Sequence, residues 1–151
     1  MGLFHNLLIK LGLAEIKAER SPITIFVLDD DERRHRWFTK RFAGDELDIT
    51  VTVAEAKELL AKYVYDAVFL DHDLLPHHYE SNDHDDFANT GYAIAEWLGE
   101  NKTIQRSATF FVHTRNAEGA YKMVELLRDS GRQVEYVPFP MLDAKLKTYW
   151  K

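Results

Sequence analysis

The chain has 151 residues, of which 46% are hydrophobic and 29% charged, so its size and composition are those of one globular domain. It contains no cysteine, which excludes disulfides, thiolate metal sites and a cysteine nucleophile and suits a reducing cytoplasm, where we expect the protein to reside. The formal net charge of −6 argues against general nucleic-acid binding. No apolar run approaches the roughly 20 residues that a membrane span needs.

Residues 1–20 are predicted to form an amphipathic helix that precedes the main domain, residues 21–151. Its hydrophobic residues recur at helical spacing and make one apolar stripe, formed by Leu3, Phe4, Leu7, Leu8 and Leu11. We expect the stripe to pack on the domain itself, on a second copy of the chain in a homodimer, or on a protein partner. A membrane surface is a weaker alternative, because the segment has few basic residues to attract anionic lipid.

Five apolar segments alternate with helical patterns along the main domain. The predicted strands are residues 23–28, 49–53, 67–70, 109–112 and 134–137. The predicted helices are residues 31–42, 54–63, 90–101 and 117–130, followed by a short last helix. This alternation predicts an α/β fold with a doubly wound, five-stranded parallel sheet, and the commonest small topology has the strand order 2-1-3-4-5.

The first predicted helix carries a basic run within nine positions, formed by Arg33, Arg34, Arg36, Lys40 and Arg41. We interpret this run as a solvated helix face, with a local binding patch as the alternative.

Acidic residues follow two predicted strands that are neighbours in this order. Asp29 and Asp30 end the first strand and Asp71 ends the third. Because ligands in such sheets bind at the carboxyl ends where the winding reverses, the three carboxylates are expected to converge. Their repulsion is relieved by a proton or by a cation, and oxygen ligands suit Mg²⁺, with Mn²⁺ or Ca²⁺ as alternatives. The competing interpretation is that these acids only cap helices.

Two histidines are expected at the same edge of the sheet. His72 follows Asp71 directly, and His113 ends the fourth strand beside Thr114. Histidine transfers protons near neutral pH or binds a transition metal, although a lone histidine at a strand end often has only a structural hydrogen bond. Asn116 is the predicted N-cap of the next helix, whose N-terminus could also present N–H groups to a phosphate.

Residues 74–89 form a polar stretch that is too long for an ordinary strand-to-helix turn. It contains five candidate ligands, namely His77, His78, His84, Asp85 and Asp86. Their spacing matches no defined metal motif. The stretch is either a solvated loop or a lid or second metal site over the acidic pocket.

The acidic pair after strand 1, Asp71 after strand 3 and Thr114 after strand 4 resemble the response-regulator receiver superfamily. That resemblance implies a receiver fold with Mg²⁺ in the acid cluster and Asp71 as a phosphoryl acceptor. Receivers also carry a Lys before a Pro at the end of strand 5. Here Val137 precedes Pro138, so the Lys is missing and ordinary phosphorelay signalling is in doubt.

A closer resemblance is to a divergent branch, the cyclic-phosphate-processing receiver domains. The motifs that carry it are Leu28-Asp29-Asp30-Asp31-Glu32-Arg33, Leu70-Asp71-His72-Asp73-Leu74, Gly91-Tyr92, and Val112-His113-Thr114-Arg115-Asn116 with Gly119 and Met123. They span roughly residues 23–140, and the long polar stretch and the N-terminal helix depart from the pattern. The resemblance implies hydrolysis or transfer at cyclic phosphates, in nucleotides or at 2′,3′-cyclic RNA ends.

The residues indicate a metal and phosphate pocket, and together with the resemblance they imply two alternative functions. In the first, the chain is a metal-dependent cyclic phosphodiesterase. Its metal ligands would be Asp29, Asp30 and Asp71, its catalytic residues His72, His113 and Asp71, and its phosphate-binding residues Arg33, Thr114 and Asn116. Whether Asp71 is a ligand or a covalent nucleophile is left open. In the second, the chain is a non-enzymatic receiver that binds Mg²⁺ and acts as a signalling or protein-interaction module.

Overall fold

The computed structural model describes residues 20–74 and 90–150, which build one parallel sheet with helices on both faces. The strands are β1 (Thr24–Leu28), β2 (Glu46–Thr50), β3 (Ala67–Leu70), β4 (Thr109–Val112) and β5 (Gln133–Tyr136). The helices are α1 (Glu32–Arg41), α2 (Val53–Lys62), α3 (Gly91–Glu100), α4 (Ala117–Asp129) and α5 (Leu142–Leu146), the last preceded by a 3₁₀ turn at Phe139–Met141. The strand order is β2-β1-β3-β4-β5, which confirms the predicted doubly wound topology.

Two predicted features lie outside the described residues. The amphipathic helix over residues 1–20 is one, apart from Arg20 at its end, and with it the proposed division of the chain at residue 20 and the packing of the apolar stripe. The histidine- and acid-rich stretch is the other, apart from Leu74 at its start. Both stay predictions. None of the described helices is long and apolar enough to cross a bilayer.

The alternation of side chains along the central strands divides the core into two layers. Phe26 and Leu28 of β1 join the layer covered by α2, α3 and α4, whereas Ile25 and Val27 join the layer covered by α1 and α5. All four side chains are fully buried. Strands that are apolar on both faces are characteristic of a parallel sheet between two helical layers. The carboxyl ends of β1, β3 and β4 therefore meet at one edge of a rigid scaffold.

Strand β2 is shifted by three residues from its predicted position. The β-branched residues 49–53 favoured a strand there, but β2 ends at Thr50, which pairs with Leu28. Thr52 caps α2 instead, because its Oγ1 accepts a hydrogen bond from the Glu55 N–H at 3.2 Å. β2 lies at the edge of the sheet, where polar side chains such as the exposed Glu46 are tolerated. A search for apolar runs therefore does not recognise the beginning of this strand.

Candidate functional site

Three carboxylates meet where β1 and β3 end. Leu28 and Leu70 are paired in register, so the residues that follow them emerge side by side. One oxygen each from Asp29, Asp30 and Asp71 lies within 4.8 Å of the others. Asp29 and Asp71 are buried, and Asp30 is partly exposed. The structure thus brings together the three acids that the sequence analysis assigned to a metal site, and we call them the acidic cluster.

The acidic cluster concentrates negative charge in a poorly solvated place. Burial, together with the charges of Asp29 and Asp71, raises the pKa of Asp30 from 3.8 to about 6. Burial also raises the pKa of Asp71, and the neighbouring Asp29 carboxylate adds to this effect. For Asp29 burial is the largest single cause and acts in the same direction, but the contacts with His113, the Asp31 N–H and Arg34 together outweigh it, so the pKa of Asp29 is lowered. Ionisation of all three acids is therefore unfavourable, and a bound cation would relieve this cost.

Arg34 of α1 supplies part of that positive charge. Its Nη1 lies 3.3 Å from Asp29 Oδ2 and 3.3 Å from Asp71 Oδ2. The guanidinium also packs over the ring of Phe139, 5.4 Å from its centroid, and the side chain is only 17% exposed. Three carboxylates and one guanidinium leave a formal charge of −2, which a divalent cation would balance.

The sequence analysis selected Arg33 as a phosphate-binding residue, and the structure places it elsewhere. The Arg33 side chain is 84% exposed, and its Nε lies 3.9 Å from Asp31 Oδ1 at the start of the helix. Arg34 was assigned to a solvated face, but it lies four residues before the buried Phe38 and so shares the core-facing side of α1. Helical side chains also lean toward the N-terminus, which carries Arg34 over the end of β1. The four-residue spacing between Arg34 and Phe38 was the feature of the sequence that could have identified Arg34 as a site residue.

His113 lies beneath the acidic cluster and not on its surface. It is fully buried, with its ring packed against those of Phe38, Phe69 and Phe139. Its Nε2 lies 2.7 Å from Asp29 Oδ2, and its Nδ1 has no hydrogen-bond partner among the described residues. We therefore assign the proton to Nε2, from which it is donated to the carboxylate. His113 contacts Asp29 from behind and holds one of its oxygens in place.

His72 lies at the surface of the site. Its backbone N–H donates to Asp71 Oδ1 at 2.9 Å, and its ring Nδ1 lies 2.8 Å from Asp73 Oδ1. The side-chain amide nitrogen of Asn116 lies 3.5 Å from the same ring nitrogen. The imidazole is thus held at the margin of the acidic cluster by a carboxylate, an arrangement that suits proton transfer.

Asn116 and Thr114 organise the start of α4. Asn116 Oδ1 accepts a hydrogen bond from the Gly119 N–H at 3.0 Å, which makes Asn116 the N-cap as predicted. Thr114 is buried, and its Oγ1 accepts from the Asn116 N–H at 3.1 Å. Both side chains therefore shape this loop, and the amide nitrogen of Asn116 points toward His72.

Two glycines allow helices to approach this edge closely. A Cβ on Gly91, the first residue of α3, would lie 1.7 Å from the carbonyl oxygen of Asp71. A Cβ on Gly119 would lie 2.5 Å from Cδ2 of His72. Both glycines belong to the motifs on which the family resemblance rests, and the packing around the acidic cluster explains why a side chain does not fit at either place.

A groove of about 860 Å³ opens beside His72 and Asn116, between α3 and α4. The aromatic rings of Tyr92 and Trp97 line one side of it, and Glu118 and Lys122 line the other. The sequence analysis predicted the helix over residues 90–101 but not this groove.

Comparison with known proteins gives one family and a consistent fold. The model of the family described as "Cyclic-phosphate processing Receiver domain" matches residues 24–129, which are 106 of the 151 residues. No curated protein matches the chain at a significant level.

Several solved receiver structures share the fold. A CheY-like receiver domain protein from Methanospirillum hungatei superposes with a TM-score of 0.59 at 17% identity, covering 85% of this chain and 94% of that one. A response regulator from Burkholderia pseudomallei gives 0.59 at 16% identity, covering 85% and 66%. A CheY-like receiver domain from Methylobacillus flagellatus gives 0.58 at 16% identity, covering 85% and 98%.

At these identities the solved structures establish the fold alone. The family model, by contrast, covers well over half of the chain and includes the acidic cluster, both histidines and both close-packed glycines. The chain therefore belongs to the family of cyclic-phosphate processing receiver domains.

Proposed function

We propose that the protein is a metal-dependent enzyme that hydrolyses, or transfers the phosphoryl group of, a cyclic phosphate. The observation that carries this proposal is the acidic cluster with Arg34, whose residual formal charge of −2 adjoins His72: the His72 N–H donates to Asp71 Oδ1, and its imidazole is partly exposed. The family to which the chain belongs supports the same chemistry.

The acidic cluster fits a hard divalent cation. Its ligands would be the carboxylate oxygens of Asp29, Asp30 and Asp71, the donor type that Mg²⁺, Mn²⁺ and Ca²⁺ prefer. The raised pKa of Asp30 supports this assignment, because burial and then the charges of Asp29 and Asp71 disfavour its ionised form, and a bound cation would offset both effects. The similar structure from Burkholderia pseudomallei contains a calcium ion with a phosphorylated aspartic acid. A cation bound here supplies positive charge to the oxygens of the phosphate.

Arg34 would orient the phosphate from the opposite side. A guanidinium binds phosphate oxygens through two parallel hydrogen bonds, and that of Arg34 already lies at the acidic cluster. The Lys that receivers place before Pro138 is Val137 here, and Phe139 packs against Arg34. The second positive charge of the site therefore comes from α1 and not from the end of β5.

His72 would carry the proton. Hydrolysis adds one water across a P–O bond of the ring: the water oxygen bonds to phosphorus, and the leaving oxygen gains one proton. One imidazole can take the first proton and return it to the leaving oxygen. The contact with Asp73 Oδ1 fixes the ring in the way that carboxylates orient catalytic histidines. His113, which is buried behind Asp29, would act as a positioning residue.

Asp71 is better suited to binding the cation than to attacking the phosphate. One of its oxygens accepts the His72 N–H, and the other lies against Arg34. Both interactions stabilise the ionised carboxylate and reduce its nucleophilicity. A water molecule is then the expected nucleophile.

The alternative function is a non-enzymatic receiver that binds Mg²⁺ and a protein partner. The fold favours it, because the solved structures that this chain resembles are response-regulator receivers. Under this alternative Asp71 would accept a phosphoryl group from a small phosphodonor, and the partner would dock on the domain or on the N-terminal segment. Intact mass after incubation with a phosphodonor would show that adduct.

The decisive experiment is turnover of a panel of 2′,3′- and 3′,5′-cyclic nucleotides with Mg²⁺, Mn²⁺ or Ca²⁺. We expect turnover that needs a cation, that is lost in Asp71→Asn and that is retained in Asp129→Asn, a matched change at an exposed position on α4. Turnover that is unchanged in Asp71→Asn would remove the acidic cluster from the reaction.

A further inference from the structure

We propose that the groove between α3 and α4 is a nucleoside subsite, so that the substrate is a mononucleoside cyclic phosphate and not the end of an RNA chain. This inference deepens the proposed function and rests on it. Three observations carry it: the groove adjoins the acidic cluster through His72, aromatic rings line it, and the charges of its described lining do not suit a polyanion.

The groove adjoins the acidic cluster through His72. The His72 side chain lines the groove together with Asn116, and the His72 backbone N–H donates to Asp71 Oδ1 of the cluster. A phosphate bound at the acidic cluster would thus lie one residue away from the groove, with His72 between them. Whatever is attached to that phosphate can extend between the two helices.

The groove has the size and the rings that a nucleoside needs. Its volume of about 860 Å³ falls in the range of small-molecule sites. Tyr92 and the half-buried Trp97 line it, and Trp97 lies six residues after Gly91, or about 9 Å along the axis of α3. Aromatic side chains of this kind form stacking surfaces for bases.

The charges along the groove argue against a nucleic-acid strand. Lys57 and Lys122 contribute two positive charges, and Glu96, Glu100 and Glu118 contribute three negative ones. Lys122 also pairs with Glu118 at 3.6 Å, so its charge is already partly balanced. Strand-binding channels follow a phosphate backbone with excess positive charge. The formal charge of −1 on the described residues that line the groove instead suits the uncharged sugar and base of a single nucleotide.

The test compares three substrates and three variants in the presence of Mg²⁺. The substrates are a mononucleoside 2′,3′-cyclic phosphate, a five-nucleotide RNA with a 2′,3′-cyclic end, and glycerol 1,2-cyclic phosphate, which has no base. The variants are Trp97→Ala, Trp97→Phe and Tyr121→Ala, the last removing an exposed ring outside the groove. Thermal unfolding of each variant reports whether the fold is retained.

We expect Trp97→Ala to raise KM for the mononucleotide by roughly ten- to a hundredfold, the range for the loss of one stacked base. The kcat should change little, because stacking stabilises the ground state and the transition state equally. Trp97→Phe should retain most of the affinity, and glycerol cyclic phosphate should be insensitive to both changes. The five-nucleotide RNA should have a kcat/KM well below that of the mononucleotide.

Equal effects of Trp97→Ala on the mononucleotide and on glycerol cyclic phosphate would overturn the subsite while leaving the proposed function in place. An RNA end used at least as well as the mononucleotide would overturn it too. Calorimetric binding of a nucleoside 3′-monophosphate with Mg²⁺ separates the two proposals. Binding that depends on Trp97 would support the subsite even without turnover, whereas no binding and no turnover would reject both.

Discussion

Replacement of Asp30 by Asn should stabilise the metal-free protein at neutral pH. The pKa of this carboxyl rises from 3.8 to about 6 on folding, which corresponds to about 3 kcal/mol of unfavourable free energy for its ionised form. Asp30 is partly exposed, so solvent reduces this figure, and we expect about 1–2 kcal/mol.

The sign of the pH dependence follows from the same shift. A group whose pKa is raised in the folded state costs nothing below the unfolded pKa and costs most above the folded one. The difference in unfolding free energy between Asp30→Asn and the wild type should therefore be near zero at pH 4, grow between pH 4 and about 6, and level off above pH 7.

The assay is urea unfolding with EDTA at pH 4.5, 6 and 8, repeated with Mg²⁺. Bound Mg²⁺ should reverse the order of stability at pH 8, because the wild type gains binding free energy that the variant loses. A variant that is less stable than the wild type at pH 8 in EDTA would refute the electrostatic account. A stability difference that does not change with pH would show that the effect is not the charge of Asp30.

Three further predictions concern the residues around the acidic cluster. Arg34→Gln should lower kcat/KM for a cyclic nucleotide by at least about tenfold, whereas Arg33→Gln should change it less than about twofold. His113→Leu removes the donor behind Asp29 and should weaken Mg²⁺ binding in calorimetry by about 10- to 100-fold. Gly119→Ala should displace the His72 ring and reduce turnover, whereas Gly99→Ala, where a Cβ meets nothing within 4 Å, should stabilise the protein by up to about 1 kcal/mol in urea unfolding.

Specific results for the arginine, His113 and Gly119 variants would contradict these predictions. Equal losses from the two arginine variants would mean that net charge, and not the position of the Arg34 guanidinium, controls activity. Unchanged Mg²⁺ affinity in His113→Leu would reduce His113 to a packing residue. Full turnover in Gly119→Ala would show that the position of His72 does not matter to the reaction.

The fold was predictable because the central strands are apolar on both faces and each ends at a polar residue. Runs such as Phe26–Val27–Leu28 and Val68–Phe69–Leu70 have few interpretations other than buried parallel strands. Strand β2 was misplaced because it lies at the edge of the sheet, where one side is solvated and the apolar signal is weak. Thr52 is a β-branched residue of the kind that is common in strands, but its hydroxyl caps helix α2.

The site was predictable where topology alone determines position. Asp29 and Asp71 converge because their strands are adjacent, and no side-chain detail is needed for that conclusion. The depth of a side chain is a different matter: His113 follows a strand just as Asp71 does, yet the aromatic rings around it keep it below the surface. The choice between Arg33 and Arg34 depends on one helical step of about 100°, which only the buried position of Phe38 defines.

The most direct test of the account is to follow a mononucleoside 2′,3′-cyclic phosphate by phosphorus NMR with the wild type and with Asp71→Asn. We predict that the cyclic phosphate signal is replaced by a monoester signal only with the wild type and only when a divalent cation is present. A cyclic phosphate signal that persists with Mg²⁺, Mn²⁺ and Ca²⁺ alike would contradict the enzymatic account and favour the non-enzymatic receiver.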